Sequence, residues 1–412
     1  MKRGTLPALF LALLCLTGCC GGSGEAKSLT LGLRAGHVDV PRAVSEEEAA
    51  ALTEFSLELL RAGWKGENIL VSPLSVLSAL GMTANGAGGT TREQMEAVLG
   101  LPVEELNAAL AAWTADLPKE KDCRINLANA LWLRDDGSFA ADPDFLQTVL
   151  DWYGPEVYGS QFDEAAVREV NAWVEKNTHG MIDGIVEEFS DAAMLCLVNA
   201  LALEAEWETV YREDQVWDGR IFTTEDGTEQ SVTMMYSSEG YYLEGEGAQG
   251  FLKPYRGGRW AFAALLPDEG VKLEDYAASL SGERLHGLLE RAEETLVYAA
   301  IPKFESVYGA ELNESLKAMG MPDAFEAGKA DFSGMGNSPM GPLFISQVLH
   351  RTYLSVDEKG TRAGAVTAVI AESGSSMPGA VPEVHLDRPF LYMLVDRETN
   401  LPAFLGAVTD MS

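Results

Sequence analysis

Apolar positions recur with helical spacing in five segments of the chain. In the first segment they lie on one face, and Ser45 with Glu48 three residues later forms a capping-box sequence. The third segment is expected to begin in the same way, with Thr90 as the cap and Glu93 as its partner. Helices are predicted at residues 45–61, 90–99 and 273–294. Residues 68–84 are predicted to be a short strand that enters a helix at residue 72, and residues 167–185 a helix followed by a turn.

Strand-like runs occur between these helices. Residues 127–133 and 194–203 are continuous apolar runs typical of buried strands, and between residues 220 and 267 glycines separate short aromatic and β-branched runs, as in hairpins. Further strands are predicted at residues 296–308, 344–356 and 384–395. Because helices and strands do not follow a regular βαβ order, the pattern predicts an α+β fold rather than a doubly wound one.

The connection at residues 356–378 is unusually long for a compact domain. It consists mostly of small residues, and no proline precedes its last residue. Connections of this length are functional or disordered. Between Thr361 and Ala371, small uncharged residues occupy every second position, and the only charge, on Arg362, belongs to the other set. In a strand the first set would face a core and Arg362 would face water, so the composition is compatible with both a loop and a central strand.

The composition is strongly acidic. A formal net charge of −33 arises from 30 Lys and Arg against 63 Asp and Glu. This excess disfavours binding to nucleic acid and to anionic membrane surfaces, which require clustered Lys and Arg, and no basic helix offers a site for a polyanion cofactor. Acidity of this kind is typical of a soluble surface.

The N-terminus has the pattern of a targeting segment. Lys2 and Arg3 precede an apolar run at residues 6–16, which is too short to span a bilayer. The sequence Leu-Thr-Gly-Cys at residues 16–19 resembles a bacterial lipoprotein signal. The resemblance implies acylation of Cys19 and anchoring at the extracellular face of the cell envelope, with shedding or an ordinary secretory signal as alternatives. The predicted division is a signal peptide at residues 1–18, a flexible tether at residues 19–44 and one domain at residues 45–412.

The chain has no pattern of a common enzyme or metal site. Its 5 cysteines and 5 histidines show no metal-like or redox-like spacing. Cys123 and Cys196 lie in apolar runs and are expected to be buried. A dinucleotide-like glycine pattern at residues 245–250 is followed by a strand and a turn, so a hairpin is predicted there. No phosphate loop or Gly-x-Ser-x-Gly sequence occurs, and neither a hydrolytic enzyme nor a cofactor is indicated.

Several motifs together resemble the serpin family of serine protease inhibitors. They are the hinge-like sequence Asp357-Glu358-Lys359-Gly360-Thr361 with Ala363 and Thr367, residues 68–75 and 81–90, residues 197–201 with Trp207, and residues 387–391 and 404–406. The resemblance covers residues 45–412. It implies one domain of three β-sheets and about nine helices with an exposed reactive-centre loop at residues 358–383, although the length alone would allow two or three domains.

The resemblance also implies roles for individual residues. Counting along the family pattern from Glu358 places the scissile bond at Gly374-Ser375, and the alternative cleavage positions follow Glu372, Ser373, Ile370 or Met377. The implied hinge residues are Glu358, Gly360, Thr361, Ala363, Ala365 and Thr367. The implied sheet-opening residues are Lys303 and Trp207, with an ion pair between Glu358 and Lys303 beside Trp207, and a cluster of Ser72, Ser75, Asn199 and His350, which is expected to form one hydrogen-bond network that holds the strands closed.

The implied function is suicide-substrate inhibition of extracellular serine proteases. A monomer would trap its target in a one-to-one covalent complex by inserting the cleaved loop into the main sheet. Small residues at positions 373–375 favour an elastase-like or subtilisin-like target, whereas cleavage after Glu372 would suit a glutamate-preferring one. Gly364 departs from the family pattern and is expected to weaken an inserted strand. The alternative is a non-inhibitory serpin-fold surface protein that is a binding module or a protease substrate.

Overall fold

The structure is a computed structural model that describes residues 26–36, 38, 40, 43–120, 122–182, 184–361 and 380–411. Its helices and sheets follow one another in mixed order, which confirms the predicted α+β class. The described part of the chain contains nine α-helices, α1 (Glu46–Gly63), α2 (Pro73–Ala84), α3 (Gly89–Leu99), α4 (Val103–Thr114), α5 (Pro143–Tyr153), α6 (Glu164–Asn177), α7 (Leu273–Ser279), α8 (Gly282–Glu290) and α9 (Asn313–Met319).

The described strands form three large sheets and one short ladder. The main sheet contains, in order, β1 (Lys27–Ser28), β6 (Glu156–Ser160), β4 (Cys123–Arg134), β7 (Leu195–Glu206), β17 (Gly360–Thr361), β16 (Ile345–Val356) and β14 (Phe304–Glu311), with β3 (Lys119–Glu120) paired to β4. The second sheet contains β10 (Tyr241–Gly245), β11 (Ala248–Pro254), β12 (Trp260–Pro267), β19 (Phe390–Asp396), β20 (Leu401–Val408) and β2 (Ile69–Val71). The third sheet contains β18 (Glu383–His385), β13 (Val297–Pro302), β9 (Glu229–Glu239) and β8 (Val216–Thr223), and β15 (Gly336–Asn337) pairs with β5 (Ala140–Ala141).

The core lies between the second sheet, the main sheet and the first two helices. Every residue of β12, β19 and β20 is buried, as is every residue of α2. α2 packs against β20 on one side and against β7 and β4 of the main sheet on the other. One continuous hydrophobic cluster therefore positions the strands of the main sheet, and burial of its apolar surface is the principal stabilising term.

The predicted beginning of the first helix is confirmed, and that of the third is wrong. At α1 the Ser45 side chain accepts a hydrogen bond from the backbone of Glu48, and the Glu48 carboxylate accepts one from the backbone of Ser45. α3 has no side-chain cap and follows Gly88, whose N–H donates to the Asp331 carbonyl at 2.9 Å. Because this tertiary contact satisfies the backbone at the helix start, Thr90 does not act as a cap.

Three predicted elements are each divided in two. The predicted helix at residues 273–294 is α7 followed by α8, because Leu280 is extended and Ser281 caps a new helix. The predicted strand at residues 296–308 is β13 of the third sheet followed by β14 of the main sheet. The predicted strand at residues 384–395 is likewise β18 of the third sheet followed by β19 of the second. Helices α4 and α5 have no predicted counterpart.

Part of the predicted tether is ordered against the domain. β1 pairs antiparallel with β6 at the edge of the main sheet. The Ala26 N–H donates to the Glu169 carboxylate at 3.0 Å, and the Gly36 N–H donates to the Asp151 carboxylate at 2.6 Å. The tether prediction is therefore wrong for residues 26–36, because the unpaired edge of β6 offers backbone partners that local composition does not reveal.

The glycine pattern at residues 245–250 forms the predicted hairpin. β10 and β11 are joined by Glu246 and Gly247, whose φ angles of 57° and 80° are those of a two-residue turn with the twist of the strands. Cys123 and Cys196 are free and buried, as expected, and burial raises the pKa of the Cys123 thiol to about 11. No helix in the described ranges has the length and apolar character needed to cross a bilayer.

Candidate functional site

The main sheet is divided between its two central strands, β7 and β16. Their parallel ladder begins at Leu195 and Ile345 and, within the described ranges, extends only to Val198 and Leu349. At the far end of β7, β17 pairs antiparallel both with β7 and with the last residue of β16. β17 thus lies between the two strands at this end. A longer strand that began with these two residues could continue between β7 and β16.

The residues before β17 form a tight turn. The Asp357 N–H donates to the Gly360 carbonyl at 3.0 Å, and Asp357 Oδ1 accepts from the N–H of Lys359 at 2.7 Å. Gly360 has a φ of 157°, and a Cβ atom at this position would lie 2.0 Å from the Ala205 carbonyl oxygen. Only glycine allows the chain to approach β7 this closely. We call residues 357–361 the hinge.

The segment that follows β7 holds this turn through two backbone N–H groups and one indole N–H group. The Trp207 N–H donates to the Lys359 carbonyl at 2.9 Å, and the Trp207 indole Nε1–H donates to the Asp357 carbonyl at 2.8 Å. The Tyr211 N–H donates to the Glu358 carbonyl at 2.9 Å. All three carbonyl groups of the turn are paired in this way, so the position of the hinge depends on this segment.

The structure brings Glu358 and Lys303 together, as the resemblance implies. Their carboxylate oxygen and ammonium nitrogen are 2.5 Å apart, and the two side chains are 38% and 34% exposed. Burial acts to raise the pKa of Glu358, but the hydrogen bond and charge of Lys303 outweigh it, and the pKa lies below its ordinary value. Since a pair exposed to this extent contributes only about 0–1 kcal/mol, it adds little to the stability of the fold.

Thr361 lies on the buried side of the hinge, where the alternation of the loop sequence places it. Its side chain is 1% exposed, and its Oγ1 is 2.5 Å from the hydroxyl oxygen of Tyr255. The Tyr255 ring is stacked on the Trp207 indole, with ring centroids 4.6 Å apart and an interplanar angle of 7°. Burial raises the pKa of Tyr255 well above its ordinary value, so the hydroxyl stays protonated.

A second group of predicted residues lies near the point where β7 and β16 separate. His350 Nε2 accepts a hydrogen bond from the Ser72 N–H at 3.1 Å, and the Ser72 hydroxyl donates to the Ala403 carbonyl at 2.9 Å. The same hydroxyl accepts from the Ser75 N–H at 3.3 Å. Burial lowers the pKa of His350 to about 4, so the ring is neutral at neutral pH and can accept this bond. The cluster thus connects β16 to α2 and β20.

Asn199 belongs to the same region but has a different partner from the one expected. Its side-chain amide donates to the Asn129 side chain on the neighbouring strand β4, with which it is in direct register. Among the described residues it forms no hydrogen bond to Ser72, Ser75 or His350. The expected four-residue cluster is therefore corrected to three residues around His350 and a separate pair of asparagines on β4 and β7.

We expect the stability of the protein to depend on His350 below neutral pH. The folded-state pKa of about 4 lies below the unfolded value of about 6.5, so the contribution is complete above pH 6.5 and is lost as pH falls towards 4. The loss amounts to about 3 kcal/mol. Denaturant unfolding at a series of pH values should show the free energy of unfolding of the wild type falling more steeply than that of His350→Gln, and parallel profiles would contradict this.

Several residues complete the site without having been predicted. They are Tyr211, Lys253, Tyr255, Glu239 and Thr352. Only Lys253 carries a signal in the sequence, since it is a charged residue within an apolar run. Tyr211 and Tyr255 contact the hinge, and Thr352 donates to the Leu70 carbonyl of β2, but none of the three differs in sequence from an ordinary buried residue.

Other predicted residues lie outside the described residues. They are Ala363, Ala365 and Thr367 of the hinge region, Gly374 and Ser375 of the scissile bond, the alternative positions Ile370, Glu372, Ser373 and Met377, and the lipidation residue Cys19. Within the described ranges, His, Cys, Asp and Glu side chains form no group of three or more that could hold a metal ion.

Comparison with known families decides the classification. A family model described as serpin (serine protease inhibitor) matches residues 50–411. The chain belongs to the serpin family. An uncharacterized serpin-like protein of Thermococcus kodakarensis is 32% identical over 370 residues, which cover 86% of this chain and 84% of that protein. Leukocyte elastase inhibitor A of Rattus norvegicus is 30% identical over 385 residues, which cover 88% of this serpin and 99% of the inhibitor.

Solved serpin structures confirm the fold. The native state of the thermophilic serpin tengpin has a TM-score of 0.88 at 40% identity, with 94% of this chain and 100% of that chain covered. Human thyroxine-binding globulin has a TM-score of 0.78 at 25% identity, with 89% and 100% covered. The family consists mostly of protease inhibitors rather than catalysts and also includes non-inhibitory members, so a target protease is the partner that membership suggests.

Proposed function

We propose that this serpin is a suicide-substrate inhibitor of extracellular serine proteases. The observation that supports the proposal most strongly is the position of β17, which already lies between β7 and β16. β7 and β16 pair with each other as far as Val198 and Leu349. Beyond that point, residues 199–204 of β7 and 350–355 of β16 offer backbone groups with which an entering strand could pair on both sides. The burial of Thr361 gives that strand a starting register in which every second residue faces the core.

The proposed reaction uses the nucleophile of the protease. Its catalytic serine Oγ attacks the carbonyl carbon of the bait residue, for which Gly374 is the first candidate. The peptide C–N bond breaks, the Ser375 amine leaves with a proton from the protease's general acid, and an ester joins the two proteins. Because Thr361 already lies between β7 and β16, residues 362–373 then enter the main sheet, and twelve residues at about 3.3 Å each carry the ester roughly 40 Å. Distortion of the protease before water attacks the ester makes the complex persistent.

The specificity of the inhibitor is proposed from the bait region. Ser373, Gly374 and Ser375 are small, which suits an elastase-like or subtilisin-like protease with a shallow specificity pocket. Cleavage after Glu372 would instead suit a glutamate-preferring protease. A relative named leukocyte elastase inhibitor supports the first alternative.

We also propose that the protein is anchored to the outside of a bacterial cell through acylated Cys19. The seven residue-to-residue steps between Cys19 and Ala26 span at most about 25 Å, so the domain would stay close to the membrane. Metabolic labelling with a fatty acid should label the wild type, and Cys19→Ala should lose both the label and the association with the membrane fraction. If Cys19→Ala, alone or combined with Cys20→Ala, were labelled as strongly as the wild type, acylation of Cys19 would be contradicted.

The alternative function is a binding module that does not inhibit proteases. The similarity to thyroxine-binding globulin supports it, because that serpin is named for the ligand that it binds. Titrating elastase, subtilisin and a glutamate-specific protease with this serpin distinguishes the two functions. An inhibitor is expected to abolish the activity of at least one protease at a near-stoichiometric ratio, whereas a binding module would leave all of them active.

A further inference from the structure

Lys253 is a fully buried cation close to the hinge. It lies on β11, its side chain is 2% exposed, and its Nζ is 2.7 Å from Oε1 of Glu239, which is itself 8% exposed. The same Nζ is 3.3 Å from the Thr209 carbonyl oxygen, to which it donates a hydrogen bond. It also lies 4.4 Å from the centre of the Tyr211 ring and 5.3 Å from that of the Trp207 ring.

Through these contacts, Lys253 Nζ connects elements that belong to three different sheets. Lys253 belongs to the second sheet, and Glu239 is the last residue of β9 in the third sheet. The other three partners, Trp207, Thr209 and Tyr211, belong to the segment that continues β7 of the main sheet. One ammonium group therefore fixes the position of that segment relative to the two sheets behind it.

The same segment donates the hydrogen bonds that hold the hinge. Trp207 and Tyr211 donate to the carbonyl groups of the turn at Asp357, Glu358 and Lys359. Among the described residues Lys253 forms no hydrogen bond or ion pair with the hinge, but it contacts Trp207 and Tyr211, which do bind the hinge. A displacement of the segment would therefore displace the hinge together with it.

A buried ion pair is weak evidence for a stabilising role. The cost of removing two charges from water largely cancels their attraction, and apolar residues of similar volume are often at least as stabilising. Burial acts to lower the pKa of Lys253, but the charge of Glu239 and the Tyr211 hydroxyl raise it above its ordinary value, so the lysine is charged at neutral pH. A cation that faces two aromatic rings and one carbonyl oxygen favours a single arrangement of these groups.

We propose that Lys253 is a positioning residue for inhibition, which holds residues 207–211 in the conformation that receives the hinge and so determines how often cleavage ends in trapping. The reason is kinetic. Loop insertion competes with hydrolysis of the ester, and a hinge that is already placed between β7 and β16 begins insertion without a search. A displaced segment would delay insertion, and more encounters would release active protease and cleaved serpin. The inference rests on the proposed inhibitory function.

The test compares two double variants of the purified protein. Lys253→Met with Glu239→Gln removes both charges of the pair without leaving one of them unpaired. The matched control, Arg259→Met with Asp396→Asn, removes another ion pair at the second sheet. Arg259 Nη2 and Asp396 Oδ2 are 2.8 Å apart, and Asp396 is buried. Among the described residues, no hydrogen bond or ion pair joins this pair to residues 207–211. Two quantities are measured for each, the stoichiometry of inhibition and the hydrogen-exchange rates of the Trp207 and Tyr211 amides.

The Lys253 variant is expected to raise the stoichiometry of inhibition by about fivefold or more and to accelerate exchange of the two amides by at least about tenfold. The control variant is expected to leave both quantities near the wild-type values. Unchanged exchange in the Lys253 variant would overturn the inference, as would faster exchange with an unchanged stoichiometry or an equal effect of the control. If the wild type traps no protease, the proposed function fails, and the exchange rates still decide whether Lys253 positions the segment.

Discussion

Replacing Thr361 by arginine is expected to convert the inhibitor into a substrate. Thr361 is 1% exposed and contacts the Tyr255 hydroxyl, so a guanidinium at this position would have to be buried without a counter-ion. Burial of an unpaired charge costs several kcal/mol. Before cleavage the two residues of β17 can leave the sheet and expose this charge, whereas insertion must bury it, so the cost adds to the barrier of loop insertion. Even about 3 kcal/mol would slow insertion about 100-fold, and hydrolysis of the ester would then be faster. The measured yield of covalent complex should fall nearly to zero while loop cleavage continues.

Two control variants separate charge from shape at this position. Thr361→Ser keeps the hydroxyl that contacts Tyr255 and is expected to keep most of the complex yield. Arg362→Thr removes a charge from the next position, which the alternation of the sequence assigns to the solvent side, and is expected to change the yield little. Formation of normal amounts of complex by Thr361→Arg would mean that the proposed register of the entering strand is incorrect.

Cleavage of the reactive loop is expected to raise the melting temperature by tens of degrees. The uncleaved protein is proposed to be metastable. Among the described residues, β7 and β16 pair with each other at one end, and the two residues of β17 lie between them at the other. Insertion of residues 362–373 would add backbone hydrogen bonds along both strands and bury the small side chains of the loop. Calorimetry before and after limited proteolysis measures the shift directly.

The same experiment on Thr361→Arg provides a matched comparison. In that variant the loop is cleaved at the same bond but the strand is not expected to enter the sheet, so its melting temperature should stay near the value before cleavage. A wild type whose melting temperature does not rise after cleavage would contradict insertion and would favour the binding-module alternative.

Capping and turn sequences predict the ends of those helices and hairpins that are held by contacts between residues close together in the chain. The capping box of Ser45 and Glu48 places the start of α1, and the glycine pattern at residues 245–250 marks a hairpin with residues of positive φ. Asp142 and Pro143 form an equally local helix start for α5 that the hydrophobic periodicity alone does not reveal. The predictions fail where a tertiary contact replaces a local one, as at Gly88, whose N–H binds the Asp331 carbonyl.

The candidate site is predictable only in part for the same reason. Glu358, Lys303 and Trp207 are identified through the family resemblance and do meet at the hinge. Glu239 and Lys253 are 14 residues apart on strands of different sheets, and no periodicity relates their positions. Their contact depends on how the second and third sheets pack behind the segment after β7, which is a property of the folded domain.

Formation of a covalent complex is the most direct test of the central claim. The purified protein is incubated with pancreatic-type elastase, subtilisin, trypsin, chymotrypsin and a glutamate-specific protease, and the products are analysed by denaturing gels and intact-mass spectrometry. We predict a denaturant-resistant species that contains one protease and one serpin cleaved in the loop, and a released C-terminal peptide that begins at Ser375. Complete loop cleavage by the proteases of this panel, with every protease recovered active and no covalent species, would contradict the inhibitory account.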